Sequence, residues 1–428
     1  MKKIFLILIL CSVVFLNART WVREYTYQAS EADSKLTSRA ISLEQVKRLL
    51  LQEIGVYVYS TILNEEVEVS GELKELTAKQ IEIISAGITE TKIIEENWNG
   101  ETYYIKAEIT ADENDVVKRL DNVIADKEKT KQLEESHRKT EKALAEIEKL
   151  KQQLAKTKDE NEKLKIQDNY NKSSNELTAE DWFLKGVNSY DIGEKDNALL
   201  YYKKSINANP KMGTVYYNIG IIYQDYELYD KAIVNYQKAI NINPEDADAF
   251  YNMGAIYYNK GNYNKAIDCF QKSIELNPDD AETYYSMGIT YAKNKNYDKA
   301  IECYRKSIEL NPDDAETYYS MGNDYGRKGD FDEALYSLQK ALEINPDYAE
   351  AYYSMGIAYA KNKNYDKAIE SFQKAIGINP EYIDAFIGMG RSHFEKGEYE
   401  KSKNCIKKAA ILGDKSAQEF LNEQGILW

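Results

Sequence analysis

From Ala179 to Ser416 the apolar residues return to the same places every 34 residues. Counting Ala179 as place 1, an aromatic ring stands at place 4: Trp182, Tyr216, Phe250, Tyr284, Tyr318, Tyr352 and Phe386. Glycine holds place 8 from Gly186 to Gly390, and a small residue holds place 20 from Ala198 to Ser402. Asn-Pro pairs end the units at Pro210, Pro244, Pro278, Pro312, Pro346 and Pro380. This pattern predicts two helices per unit, each of about a dozen residues, crossing closely where one surface is small and the other bulky. Proline stops the second helix. One unit cannot bury its apolar face alone, so seven are expected to stack into a solenoid with a continuous core. Asp414 replaces the proline of the last unit, and residues 417–428 read as a terminal cap.

The period and these residues resemble the tetratricopeptide-repeat (TPR) family, seven times over, across residues 179–416. That resemblance implies a right-handed α-solenoid, mainly α overall, whose first helices line a concave groove where protein segments dock. It places Tyr217, Tyr251, Tyr285, Tyr319 and Tyr353, at place 5, on the groove as apolar anchors. Place 2, also groove-facing in the family, carries Asp248, Glu282, Glu316 and Glu350, which would select a basic or aromatic-basic segment. Acids there also suit the helix dipole, whatever the partner. Repeats that grip a terminal carboxylate use Lys and Asn at places 5 and 9. Here Tyr217 and Ile221 stand there, which argues against an acidic C-terminal tail as ligand.

Upstream, the patterning changes character. Trp21 to Ala29 alternates like a strand, and Ser30 is placed to cap a helix running to about Leu51, with Leu36, Ala40, Leu43, Val46 and Leu50 at helical spacing. Glu66 to Glu72 alternates again, and Thr77 to Ala86 reads as a second helix stopped at Gly87. Thr89 to Trp98 and Glu101 to Thr110, joined by Asn99-Gly100, form the clearest hairpin signal. The order β-α-β-α-β-β predicts a small α+β domain over residues 19–112. Its run from Glu31 to Gly55 resembles the small N-terminal domain of some exported bacterial repeat proteins and of a bacterial flagellar assembly protein.

Residues 113–167 are nearly all Lys, Glu, Gln, Leu and Ala, with no Gly or Pro. Ile147, Leu150, Leu154, Thr157, Asn161 and Leu164, with Leu133, Thr140 and Ala143 before them, follow the three-and-four spacing of a coiled-coil seam. Two readings stand: a homodimer through residues 133–164, or a solvated single helix acting as a spacer about 80 Å long. The polar run 168–178 reads as a hinge.

At the N-terminus, Lys2-Lys3 precede thirteen mostly apolar residues, Ile4 to Leu16, and then Asn17-Ala18. Thirteen helical residues rise roughly 20 Å, too short to span a hydrocarbon core about 30 Å thick. Residues 1–18 therefore read as a secretory signal, and the protein as exported to the periplasm or cell envelope, or secreted. Cys11 raises a lipid-anchor reading, against which stands Leu10, too large for the residue before such a site. No other stretch approaches membrane-spanning length.

Composition narrows the function classes. A net charge of −15 argues against nucleic acid. Cys269, Cys303 and Cys405 share place 23 of their repeats, too far apart to bridge, so free thiols are expected. Catalysis has little to stand on: the histidines are His137 and His393, the second at a place held by tyrosine in other repeats, and no phosphate loop, serine elbow or zinc signature occurs. No cofactor or metal is expected. The reading is a non-enzymatic scaffold for a protein or peptide partner. The alternative is an envelope or flagellar assembly component, whose N-terminal domain does the work while the repeats oligomerise or space.

Overall fold

The computed structural model describes residues 18–63, 76–424 and 426–428, and divides into two compact units, Met1–Ile242 and Asn243–Trp428. The expected signal at residues 1–18 lies outside the described residues except for Ala18, and so does the strand expected at Glu66 to Glu72.

The first unit opens with β1 (Ala18–Gln28), α1 (Lys35–Leu63), α2 (Ala78–Ile88), β2 (Lys92–Trp98) and β3 (Thr102–Asp112). The three strands form an antiparallel sheet in the order β1-β3-β2. Asn99-Gly100 makes the expected hairpin: Gly100 takes φ +98°, and Asn99 Oδ1 accepts from the amides of Glu101 and Thr102 at 2.9 and 2.7 Å. Two local expectations change. Ser34, not Ser30, starts α1, exchanging side-chain and backbone bonds with Thr37. Ser30 instead donates to Asp33. Gly87 does not stop α2; it lies inside the helix, where a Cβ would come within 2.3 Å of Leu133 Cδ2. The glycine serves close approach rather than termination.

The expected rod and hinge are replaced by a packed helical hairpin. After α3 (Glu113–Ala125), α4 (Lys127–Lys156) runs to a break at residues 157–159, and α5 (Glu160–Asp191) returns against it. Asp159 caps α5 by accepting from the Glu162 amide at 2.8 Å. Residues 168–178 are therefore interior helix, not hinge. Ala143, Ile147 and Leu150 of α4 pack with Ile41 of α1 and with Ile166, Tyr170 and Leu177 of α5. The stripe read either as a seam between two chains or as one side of a solvated spacer is thus buried within one chain, and Leu164, at its end, lies 69% exposed. Tyr170 hydrogen-bonds Asp33, which also accepts from Tyr27 at 3.1 Å, so the polar run is held by a buried side-chain network.

The C-terminal half of α5 is the first helix of repeat 1. α6 (Lys195–Ala208) completes that repeat, and α7 (Gly213–Asp225) with α8 (Tyr229–Ile242) forms repeat 2. One core runs from Trp21 and Leu50 through Ile105 and Leu133 to Phe183, Tyr202 and Ile219. The sheet, hairpin and first two repeats therefore share their burial, and the α+β elements do not form a domain with a core of its own.

The second unit holds repeats 3 to 7 as helix pairs. These are α9 (Ala247–Asn259) with α10 (Tyr263–Leu276), α11 (Ala281–Lys293) with α12 (Tyr297–Leu310), and α13 (Ala315–Lys328) with α14 (Phe331–Ile344). α15 (Ala349–Lys361) with α16 (Tyr365–Ile378) and α17 (Ile383–Glu395) with α18 (Tyr399–Ile411) follow. α19 (Lys415–Glu423) closes the end, burying Ala417 and Leu421 against Ala409 and Ala410. Each pair is pinned where the place-24 side chain meets the place-8 glycine, a ring in repeats 3, 4 and 6 and Leu338 or Ile406 in repeats 5 and 7: a Cβ on Gly254 would lie 2.7 Å from Phe270 Cε1.

Gly254→Ala is accordingly expected to destabilise by about 1–2 kcal/mol, overpacking outweighing the helix-propensity gain of about 1 kcal/mol. Gly377→Ala, in α16 with nothing within 4 Å of the added methyl, should raise the thermal midpoint. Opposite signs in thermal melts would support this account; a stabilising Gly254→Ala would refute it.

Candidate functional site

The face in question belongs to the first helix of each repeat. Places 2, 6, 9 and 13 fall within an arc of about 60° at 100° per residue, with place 5 about 60° from place 2. In the first unit this face is covered by the chain itself. α4 lies along α5, and its Ser136 Oγ donates to Glu180 Oε2 at 2.5 Å, at place 2. Gln132 Oε1 accepts from Asn218 Nδ2 at 3.1 Å, at place 6 of repeat 2, and Lys129 pairs with Asp191 at place 13. Phe183 and Tyr217, the place-5 residues, are 2% and 7% exposed. Tyr217 was expected to be an open anchor; it is buried, with its ring 5.6 Å from Tyr236.

In the second unit the four other place-5 tyrosines are half-buried, and Glu282, Glu316 and Glu350 are exposed beside them, with Asp248 half-buried. The structure joins the two sets, which the sequence reading treated as independent. Tyr251 Oη donates to Glu282 Oε1 of the next repeat at 2.7 Å and lies 3.4 Å from Ser286 Oγ. Tyr285 lies in the same way beside Glu316, whose carboxylate helps raise its phenol, with Ser320 Oγ at 3.5 Å. Burial raises both phenols, and the acceptor carboxylates raise them further, so the hydroxyls stay protonated as donors. Glu282 is thus positioned by the preceding repeat.

Two tyrosines of this face escaped the sequence reading. Asp246, Asp280 and Asp314 cap α9, α11 and α13 through their side chains. At the same place 34, Tyr348 and Tyr382 make no side-chain cap. They meet the place-5 rings instead: Tyr319–Tyr348 at 4.9 Å and Tyr353–Tyr382 at 5.0 Å between centroids. A lost cap costs about 1 kcal/mol, and an aromatic pair returns roughly 0.5–1.5 kcal/mol. Burial, then the neighbouring Tyr319 and Glu316, pushes Tyr348 up to about 12. The visible signal was the break in the place-34 aspartates.

Place 13 was also missed. It reads Asp191 and Asp225 in the first unit, then Asn259, Lys293, Arg327, Lys361 and Glu395 in the second. Lys293, Arg327 and Lys361 are exposed in the last turns of α11, α13 and α15. Arg327 Nη1 sits 2.5 Å from Asp324, a buried carboxyl whose pKa is raised by that burial. Along α11, α13 and α15 the face thus changes sign, acidic at place 2 and basic at place 13. Elsewhere, His393 is 8% exposed with Nδ1 2.7 Å from Glu398, a packed core position. Among the described residues no group of three or more His, Cys, Asp or Glu is placed to hold a metal. Cys269, Cys303 and Cys405 are free thiols, and burial raises Cys269 to about 11.

The family model described as the C-terminal domain of cilia and flagella-associated protein 70, a TPR domain, matches residues 135–353, and the tetratricopeptide-repeat model matches residues 349–382. The first spans just over half the chain. The chain belongs to the tetratricopeptide-repeat family. No curated protein sequence matches it. Among solved structures, this TPR protein is similar to YrrB, described as a TPR protein with an unusual peptide-binding site, at 29% identity over 43% of this chain and 95% of that one, with a TM-score of 0.40. It is similar to MamA at 32% identity over 39% and 97%, with a TM-score of 0.37. A tetratricopeptide-repeat protein from Parabacteroides merdae matches at 20% identity over 57% and 98%, with a TM-score of 0.43.

Proposed function

We propose that this TPR protein is an exported interaction scaffold that holds a basic segment of a partner protein on the face carrying Tyr251, Tyr285, Tyr319 and Tyr353. The reading of export rests on Met1 to Ala18, a short apolar run behind two lysines. One observation carries the binding reading: the exposed carboxylate of Glu282 is held by the Tyr251 hydroxyl of the preceding repeat, and Glu316 lies beside Tyr285 one repeat on, so acceptors stand at a 34-residue interval on an aromatic floor. Ordered carboxylates lose little entropy on accepting Lys or Arg, and the half-buried rings add contact area at low entropic cost. The tyrosines also pack structurally, so the acids are the cleaner targets for mutation.

The full-length chain and its Glu282→Lys/Glu316→Lys/Glu350→Lys variant would be used as baits in envelope extract, and any captured protein purified and titrated against both. The wild type should hold a partner through a Lys/Arg-rich segment, with affinity falling as salt rises, and the variant should lose it more than tenfold with a thermal midpoint within about 4 °C of wild type. Equal affinity for both baits would remove this face from the function.

A further inference from the structure

The first unit shows what its own face accepts, and the occupant is a helix. α4 meets the first-helix faces with Lys129, Gln132 and Ser136, while Leu133, one residue after Gln132, is buried between them on Gly87. Spacings of three, four and seven share one side only in an α-helix. Its partners run the other way, from Asp191 at place 13 to Glu180 at place 2, so α4 lies antiparallel to α5. An extended strand could not meet the same groups, because alternate side chains would point away.

The second unit repeats the receiving places with a changed charge code. Place 6, where Asn218 binds Gln132, reads Asn252, Ser286, Ser320 and Ser354 in repeats 3 to 6, all short and hydrogen-bonding, and Gly388 in repeat 7. Place 2 keeps its acids at Asp248, Glu282, Glu316, Glu350 and Asp384. Place 13, where Asp191 receives Lys129, becomes Lys293, Arg327 and Lys361 in repeats 4 to 6, between Asn259 in repeat 3 and Glu395 in repeat 7. A segment lying as α4 lies would meet bases at its N-terminal end and acids at its C-terminal end.

We infer that the second unit takes its partner segment as an amphipathic α-helix, antiparallel to the first helices, acidic in its first turns and basic in its last. This rests on the functional reading above and specifies its ligand. The charge order agrees with the bound helix's own dipole, which favours acids at its N-terminus and bases at its C-terminus. Helix and face are complementary in the one orientation that also stabilises the helix.

The test uses three synthetic probes of about 20 residues with the full-length chain, titrated by fluorescence anisotropy. The first is a stapled helix with Glu in the first turn, Lys in the last and Leu at helical spacing. The second has the same composition with two central prolines, and the third is an extended Lys-Pro peptide. The stapled helix is expected to bind, at least tenfold more tightly than the proline-broken probe. Both Glu282→Gln/Glu316→Gln/Glu350→Gln and Lys293→Gln/Lys361→Gln should weaken it about tenfold. If the proline-broken or Lys-Pro probe binds as well as the helix, and the Glu→Gln variant weakens it, the helical inference falls and the acidic docking face stands. If none of the three binds, both fall.

Discussion

Replacing Lys47 with methionine should lower the unfolding free energy of the first unit by about 3–5 kcal/mol, the cost of leaving one half of a buried ion pair behind. The side chain of Lys47 is 8% exposed, with Nζ 2.9 Å from Asp181 Oδ1 and 3.6 Å from Glu44 Oε2. Burial alone would depress the ammonium, but Asp181 and Glu44 more than offset it, and its pKa is raised. Asp181 mirrors this: burial pushes it up, while Lys47 and Lys185 pull it below the usual carboxylate range. Without Lys47, Asp181 keeps only Lys185, at 3.2 Å, which places the loss toward the lower end of the range. The double variant Lys47→Met/Asp181→Leu should lie within about 1 kcal/mol of wild type, because both desolvation costs vanish together. Trp21, Trp98 and Trp182 belong to this unit, so urea denaturation followed by fluorescence reports on it. A single-variant loss below about 1 kcal/mol would show that the pair is hydrated and contributes little.

That pair ties α1 to α5, and it marks where sequence reading stopped working. The repeats were legible because seven copies vary independently around fixed needs: a glycine under a ring at place 8, a small residue at place 20, an Asn-Pro turn at the end. Nothing comparable repeats before Ala179. The seam of Ala143, Ile147 and Leu150 has the spacing of an interchain coil and of an intrachain hairpin alike, since both bury one stripe of a helix. What separated them was the helix start at Asp159 with Glu162 three residues on, a weak signal inside a charged run. The run around Tyr170 looked like a hinge because it is polar; the Tyr170 hydroxyl is spent on Asp33, which also accepts from Tyr27, and polarity alone does not show whether a group has a buried partner.

The candidate face was legible in part for the same reason. Periodicity found the tyrosines and the acids, but which of them touch depends on how one repeat sits on the next. Hence the Tyr251–Glu282 bond and the Tyr319–Tyr348 pair appear only in three dimensions. Glu180 and Tyr217 fit the pattern as well as any other repeat, yet α4 covers them. A helix some forty to eighty residues away in sequence decided their environment.

Glu180 yields the second large effect. It is 4% exposed, bonded to Ser136 of α4, with Glu135 and Lys139 of α4 and Glu176 of its own helix nearby. Burial pushes its carboxyl up to about 7; Ser136 and Lys139 oppose the shift, and Glu135 and Glu176 add to it. Because the folded pKa exceeds the unfolded one, the fold binds the extra proton, and stability falls as pH rises from about 4.5 to about 7. Above that range the full cost applies, about 3 kcal/mol for a shift of this size at 1.36 kcal/mol per unit. Glu180→Gln keeps a neutral group able to bond Ser136 and removes the ionisation. The variant should match wild type near pH 4 and exceed it by about 2–3 kcal/mol at pH 8 in urea denaturation. Amide exchange in α4, corrected for its intrinsic pH dependence, should speed up between pH 6 and 8 in wild type only, since ionised Glu180 loosens the helix that covers it. If the variant is instead less stable at pH 8, the carboxylate is ionised in the fold and held by Lys139, and the contact of α4 with this face is an ion pair rather than a neutral hydrogen bond.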